Sequence, residues 1–148
     1  MAPFIVLIVS FALFRLLGYA GAPYFADWQH ALQAAVSAML LLAASAHWGK
    51  RRADLVRMVP RRLPFAEAAV TATGLLELAG AAALHVPSLS SYAAAGLIAL
   101  FVVLFPANVK AARERLTIGG RPVPGLAVRA AMQLIFIAAA LLAGPIVL

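Results

Sequence analysis

Apolar residues fill five stretches of the chain, at about Pro3 to Tyr19, Trp28 to Trp48, Phe65 to His85, Tyr92 to Ala112 and Leu126 to Val147, and polar residues collect between them. A helix rises ~1.5 Å per residue, so a run of roughly 20 apolar residues matches the ~30 Å hydrocarbon core of a bilayer. Each stretch is close to that length. The pattern predicts an all-α, polytopic transmembrane helix bundle of about five spans, forming a single domain over residues 1–148. Helix breakers stand where connections are needed, at Gly21-Ala22-Pro23, Pro60 with Pro64, Pro87-Ser88, and Gly119-Gly120-Arg121-Pro122-Val123-Pro124-Gly125. Asp27 is placed to cap the second helix, and Ser90 or Ser91 the fourth. Ala20-Gly21-Ala22 has the look of a signal-peptide cleavage site. No Lys or Arg precedes that first apolar run, Arg15 lies inside it and Pro23 follows the site, so the first helix is expected to be retained.

Composition changes the picture by removing the soluble alternative. Apolar residues make up 65% of the chain and charged residues 11%, with a mean hydropathy of +0.98. An ordinary globular domain is nearer half apolar and a quarter charged, so this much apolar surface needs an apolar solvent. The net charge of +7 invites a nucleic-acid reading, but such proteins spread cations over a water-exposed face. Here the cations sit in two connections between apolar runs, which suits lipid headgroups and argues against nucleic acid. There is no cysteine, so no disulfide, thiolate metal site or iron–sulfur cluster can form within the chain. Electron chemistry would require a bound organic cofactor or a partner subunit.

Charge also orients the bundle. Lys50, Arg51, Arg52, Arg57, Arg61 and Arg62 lie between the second and third runs, and Lys110, Arg113, Arg115, Arg121 and Arg129 lie between or beside the fourth and fifth. With five spans both groups fall on one side, and losing the second, third or fourth span would separate or merge them. The positive-inside rule makes that side cytoplasmic, with the N-terminus inside and the C-terminus outside. The expected location is a membrane with the cytoplasm on that side.

An ionisable group inside a span costs roughly 2.5 to 3.5 kcal/mol on insertion scales, so each one points to a partner or a function. Arg15 stands about 18 Å from the start of the first helix and Glu77 about 16 Å from the start of the third, both counted from the same side. At matched depth they are expected to form an ion pair between those helices. A functional alternative gives Glu77 a protonatable role facing a cavity, with Arg15 adjusting it or gripping a ligand carbonyl; in another, Arg15 snorkels outward and Glu77 stays protonated. Gly74, Ala79, Gly80, Ala81, Ala82 and Ala83 allow close backbone approach, which predicts the third helix to be the central one.

A second polar set lies toward the basic side, with His47 ending the second helix, Glu67 starting the third, Asn108 after Pro106 in the fourth and Gln133 early in the fifth. Asn108 and Gln133 suit interhelical hydrogen bonds, and Asn108 is placed to satisfy the carbonyl that Pro106 frees. Glu67 suits the first turn of its helix. His47 beside Trp48 fits an interfacial anchor, with ligand binding or proton transfer as the functional alternative. His30 and His85, near the opposite surface, weigh less. No His-x-x-x-His or Glu-x-x-His spacing occurs, so no structural metal is expected.

Taken together, Ser45-Ala46-His47-Trp48, Leu55-Val56-Arg57-Met58-Val59-Pro60, Leu75-Leu76-Glu77-Leu78-Ala79-Gly80 and Phe105-Pro106-Ala107-Asn108-Val109 resemble the DoxX-like family of small bacterial membrane proteins. The resemblance covers roughly residues 38 to 145 and rests on the set in this order, each motif being weak alone. It implies a four-helix core, to which the first run adds an N-terminal helix, and a location in the bacterial cytoplasmic (inner) membrane. Relatives in that family are linked to quinone-coupled thiosulfate oxidation, to resistance against quinones and catechols, and to a membrane oxidoreductase complex. No catalytic set carries over, and His47, Glu77 and Asn108 transfer only as motif positions.

The resulting expectation is a membrane subunit that binds a lipophilic redox molecule such as a quinone, with Glu77, Arg15, His47, Asn108 and Gln133 as candidate ligand-binding residues. Expected partners are the lipid bilayer, a soluble oxidoreductase docking on the basic loop at residues 49–63, and a second copy of the chain. A small proton-coupled transporter built on Glu77 and a non-catalytic scaffold are the alternatives.

Overall fold

The computed structural model describes residues 1–144. In chain order the elements are α1 (Ala2–Tyr19), α2 (Pro23–Ala26), α3 (Trp28–Trp48), α4 (Arg52–Met58), α5 (Ala66–Ala83), α6 (Ser90–Arg113), strands β1 (Thr117–Ile118) and β2 (Arg121–Pro122), and α7 (Leu126–Ala143). All five apolar runs are helical. The part of the fifth run expected to reach Val147 lies outside the described residues. Four helices, α1, α3, α6 and α7, are long and apolar enough to cross a membrane. The fifth, α5, matches α1 and α7 in length, but its two glutamates and two threonines dilute its apolar character. The protein is therefore an all-α bundle with the make-up of a membrane protein.

Local signals explain most helix ends. Asp27 caps α3 as expected, its carboxylate accepting from the backbone N–H of Gln29 at 2.6 Å and of His30 at 3.4 Å. The cap expected at Ser90 or Ser91 is not formed. The residue before α6 is Leu89, with no side-chain cap, and Ser90 is already helical and donates to the Pro87 carbonyl. Phe65 precedes α5 in the left-handed conformation, with φ of 60°.

Around the bundle, α3 packs on α5, α5 on α6, α6 on α7, and α7 back on α3, while α1 lies outside this ring against α3. The central helix is thus α3, not the third-run helix that its small residues suggested. Ten α3 residues are buried, against four on α5, namely Val70, Gly74, Glu77 and Ala81. Those four recur at spacings of 4, 3 and 4 and so form one buried face toward α3, while small residues elsewhere on α5 permit its approach to α6. One such approach is Gly80, where a Cβ would meet Leu97 of α6 at 2.6 Å. Leu7 is the buried residue of α1. Large apolar side chains such as Leu16, Val103 and Leu134 point outward, as a lipid-facing surface requires.

At one end of the bundle the two basic connections form a single unit. Asp54 of α4 takes the Gly119 N–H of the β-hairpin turn at 2.8 Å and pairs with Arg57. The Gly119 N–H and then the Arg57 guanidinium hold the Asp54 carboxyl below its ordinary pKa. The turn suits glycine, since Gly119 and Gly120 have φ of +59° and +75°. Lys110 donates to the carbonyls of Arg57 at 2.5 Å and Val59 at 2.8 Å. Placing both basic groups at one end agrees with the expectation from charge.

Candidate functional site

The buried stripe of α5 faces a stripe of α3 at Ser37, Leu40, Ala44 and His47, spaced 3, 4 and 3, and the two helices run antiparallel. Gly74 makes the contact possible. A Cβ there would lie 2.8 Å from His47 Cγ, 2.9 Å from His47 Cβ and 2.9 Å from Trp48 Cη2. The missing side chain lets the His47 ring sink against α5 and reach Glu77. His47 is 7% exposed and Glu77 5%. His47 thus points into the α3–α5 contact, while its neighbour Trp48 is half-exposed.

The hydrogen bonds determine how this pair holds its proton. His47 Nδ1 is 2.6 Å from the Val70 carbonyl oxygen, which can only accept, so Nδ1 carries hydrogen. His47 Nε2 then faces Glu77 Oε2 at 3.4 Å. With no proton between them, a lone pair would face a carboxylate and leave a buried charge uncompensated; with two, the pair would be cationic. Both states are costly at low dielectric. One proton between Nε2 and Oε2 is the favoured state, either as imidazolium with carboxylate or as two neutral groups. At 3.4 Å the contact is longer than a charge-assisted hydrogen bond. Glu77 Oε2 is fully buried, with this long contact to His47 and no closer hydrogen bond among the described residues. Arg52 closes the site on the loop side, donating to the His47 carbonyl at 2.7 Å, the Glu67 carbonyl at 3.1 Å and Thr71 Oγ1 at 3.0 Å.

Arg15 is not part of this arrangement. It donates to the carbonyls of Phe25 at 3.1 Å and Ala26 at 2.7 Å and to the Tyr19 hydroxyl at 3.1 Å. The expected Arg15–Glu77 ion pair is therefore absent. Matched depth did not bring the residues together, because α1 lies outside the ring and the last turn of α2 offers bare carbonyls closer to Arg15.

Asn108 and Gln133 do meet, joined by Arg129, which sequence reasoning had counted with the loops. Arg129 donates to Asn108 Oδ1, Asn108 Nδ2 to Gln133 Oε1 at 3.1 Å, and Gln133 Nε2 to the Phe101 carbonyl. A guanidinium only donates and a carbonyl only accepts, so both amide orientations follow from the ends of the chain. The Asn108 amide thus goes to Gln133 and not to the Val102 carbonyl that Pro106 frees, and Gln133 reaches the Phe101 carbonyl. Arg129 and Gln133 are four residues apart on α7, a spacing that could have revealed their common face.

A third group was missed by sequence reasoning. His85 Nε2 is 3.0 Å from Ser37 Oγ, and Ser37 Oγ donates to the Ala81 carbonyl at 3.0 Å. Ser37 thereby uses its only hydrogen, so His85 Nε2 must donate and Nδ1 accept, from the Tyr24 hydroxyl at 3.2 Å. Tyr24 also stacks on His30, with centroids 4.5 Å apart. Tyr24, His30 and His85 line a cavity of about 280 Å³ with Gln29 and Gln33. No local spacing announces contacts across 48 and 61 residues. Glu67 is exposed on the first turn of α5, in the favourable position expected of it. Among the described residues no three His, Cys, Asp or Glu side chains are grouped to hold a metal.

The matched family model, Domain of unknown function (DUF8561), covers residues 36–143. No curated protein and no solved structure matches the chain. The matched stretch contains His47, Glu77, Asn108, Arg129 and Gln133 and excludes Arg15 with all of α1 and α2. With nearly three quarters of its length matched, the chain belongs to the DUF8561 family.

Proposed function

We propose that this protein is a membrane subunit that binds a lipophilic redox molecule, a quinone by chemical class, and exchanges protons with it at Glu77 and His47. The carrying observation is the buried Glu77–His47 pair, a carboxylate and an imidazole facing each other at 3.4 Å inside the bundle. Quinone reduction takes up two protons with two electrons, so its site needs an apolar surround and groups that give and take protons at the ring oxygens. The bundle supplies the surround. On another face of α5 a groove of about 300 Å³ lies against α6, lined by Leu76, Gly80, Tyr92, Leu97 and Leu100 and not by Glu77 or His47. The resemblance to DoxX-like proteins favours the same ligand class. The electrons would come from a soluble oxidoreductase docked on the basic loop at residues 49–63, in keeping with a bacterial inner-membrane location and a cytoplasmic loop.

The test is mass spectrometry of small molecules retained when the protein is extracted with native lipid into nanodiscs. Quinone enriched in wild type over Glu77→Gln and over an unrelated membrane protein supports the reading. Equal background in all three sinks it. A proton-coupled transporter is the second reading, favoured by the burial of an ionisable Glu77 beside His47; it predicts gradient-dependent transport that Glu77→Gln abolishes, with no quinone retained.

A further inference from the structure

The α3–α5 interface has a different chemistry on each side of the buried pair. Toward the basic end the groups are polar. The Val70 carbonyl receives His47 Nδ1 and the Thr73 hydroxyl, and beyond it Thr71, the Glu67 carbonyl and Arg52 continue to the loop. His47 is the penultimate residue of α3, so it sits within about 2 Å of helix end along the axis. Side chains on a helix lean toward its N-terminus, which directs Glu77 toward this same end.

Toward the opposite end the interface is sealed. On α3, Leu40 and Ala44 stand between His47 and Ser37, each 1% exposed, and Leu40 packs with Val36, Ala81 and Leu84 in one apolar cluster. Beyond the seal lies the hydrogen-bonded row from Tyr24 through His85 to Ser37. That row ends on the Ala81 carbonyl, across Leu40 and Ala44 from the Glu77–His47 pair. The charged group beside the pair is Arg52, on the loop side.

We infer that the Glu77–His47 pair exchanges its proton with water at the basic-loop end only, with Leu40 as the barrier to the other side. This rests on the proton-exchange part of the proposed function and adds its direction: protons taken up or released at this site come from and return to the compartment that the arginine-rich loops face. Tyr24, His85 and Ser37 are a structural row at the opposite surface and not an entry path.

The experiment is infrared difference spectroscopy on proteoliposomes, with orientation established by tryptic accessibility of the Arg61–Arg62 loop. The Glu77 band, carboxylic C=O or carboxylate stretch, is identified by its loss in Glu77→Gln. In wild type a pH step on the loop side should change that band and an equal step on the other side should not. Leu40→Asn should make the response two-sided, while His85→Gln leaves it one-sided. A wild-type band that answers to the far side, or one-sidedness that survives Leu40→Asn, overturns the assigned direction. A band unresponsive on both sides overturns proton exchange itself, and the direction with it, which separates the two failures.

Discussion

Gly74→Ala tests the contact on which the buried pair depends. The added methyl would lie 2.8 Å from His47 Cγ, 2.9 Å from its Cβ and 2.9 Å from Trp48 Cη2, where carbon atoms prefer about 3.5 to 4.0 Å. A ring can turn aside, but a Cβ moves only with its backbone. The helices α3 and α5 must therefore part by roughly 0.7 to 1 Å, carrying His47 away from a contact already 3.4 Å long. Overpacking of this kind costs about 1 to 3 kcal/mol, offset in part by the helix preference of Ala over Gly, about 0.8 to 1 kcal/mol. Gly96→Ala on α6 supplies the control, because a Cβ there meets nothing within 4 Å and gains the same preference without a clash. Denaturation in detergent, followed by circular dichroism, should place Gly74→Ala below Gly96→Ala by about 1 to 3 kcal/mol. A Gly74→Ala protein as stable as Gly96→Ala would refute the close approach and the route by which His47 reaches Glu77.

Two further outcomes follow from the geometry. Arg15 and Glu77 have separate partners, so in a double-mutant cycle of Arg15→Leu and Glu77→Gln the stability changes should add within about 0.3 to 0.5 kcal/mol; a coupling well above that range would restore the ion pair that the fold lacks. In the loop unit, the lowered pKa of Asp54 means that the folded form holds its proton less tightly than the unfolded chain. Its stabilisation should be complete above the ordinary Asp value of about 3.9 and disappear as pH falls through the lowered one. Protection of the Gly119 amide in hydrogen exchange should follow that course, and Asp54→Asn should remove most of the pH dependence.

The amino-acid order alone determined the helices, because spans of this length need only a count of apolar residues between breakers, and the grouping of cations on one side, because connection charge is a one-dimensional property. Asp27 as the cap of α3 was legible for the same reason: a cap acts within its own turn. Tertiary structure decided which polar groups meet. Glu77 was singled out by its cost in an apolar helix, yet depth along the axis says nothing about rotation around the bundle, and Arg15 at a similar depth faces other partners. Whether Glu77 met Arg15 or His47 depended on α1 lying outside the ring and on a glycine that lets one imidazole approach. The same holds for His85 with Ser37 and for Arg129 with Asn108, whose partners lie on other helices. A helix records in its sequence which of its faces are apolar; the side chain across the interface belongs to a distant part of the chain, and packing selects it.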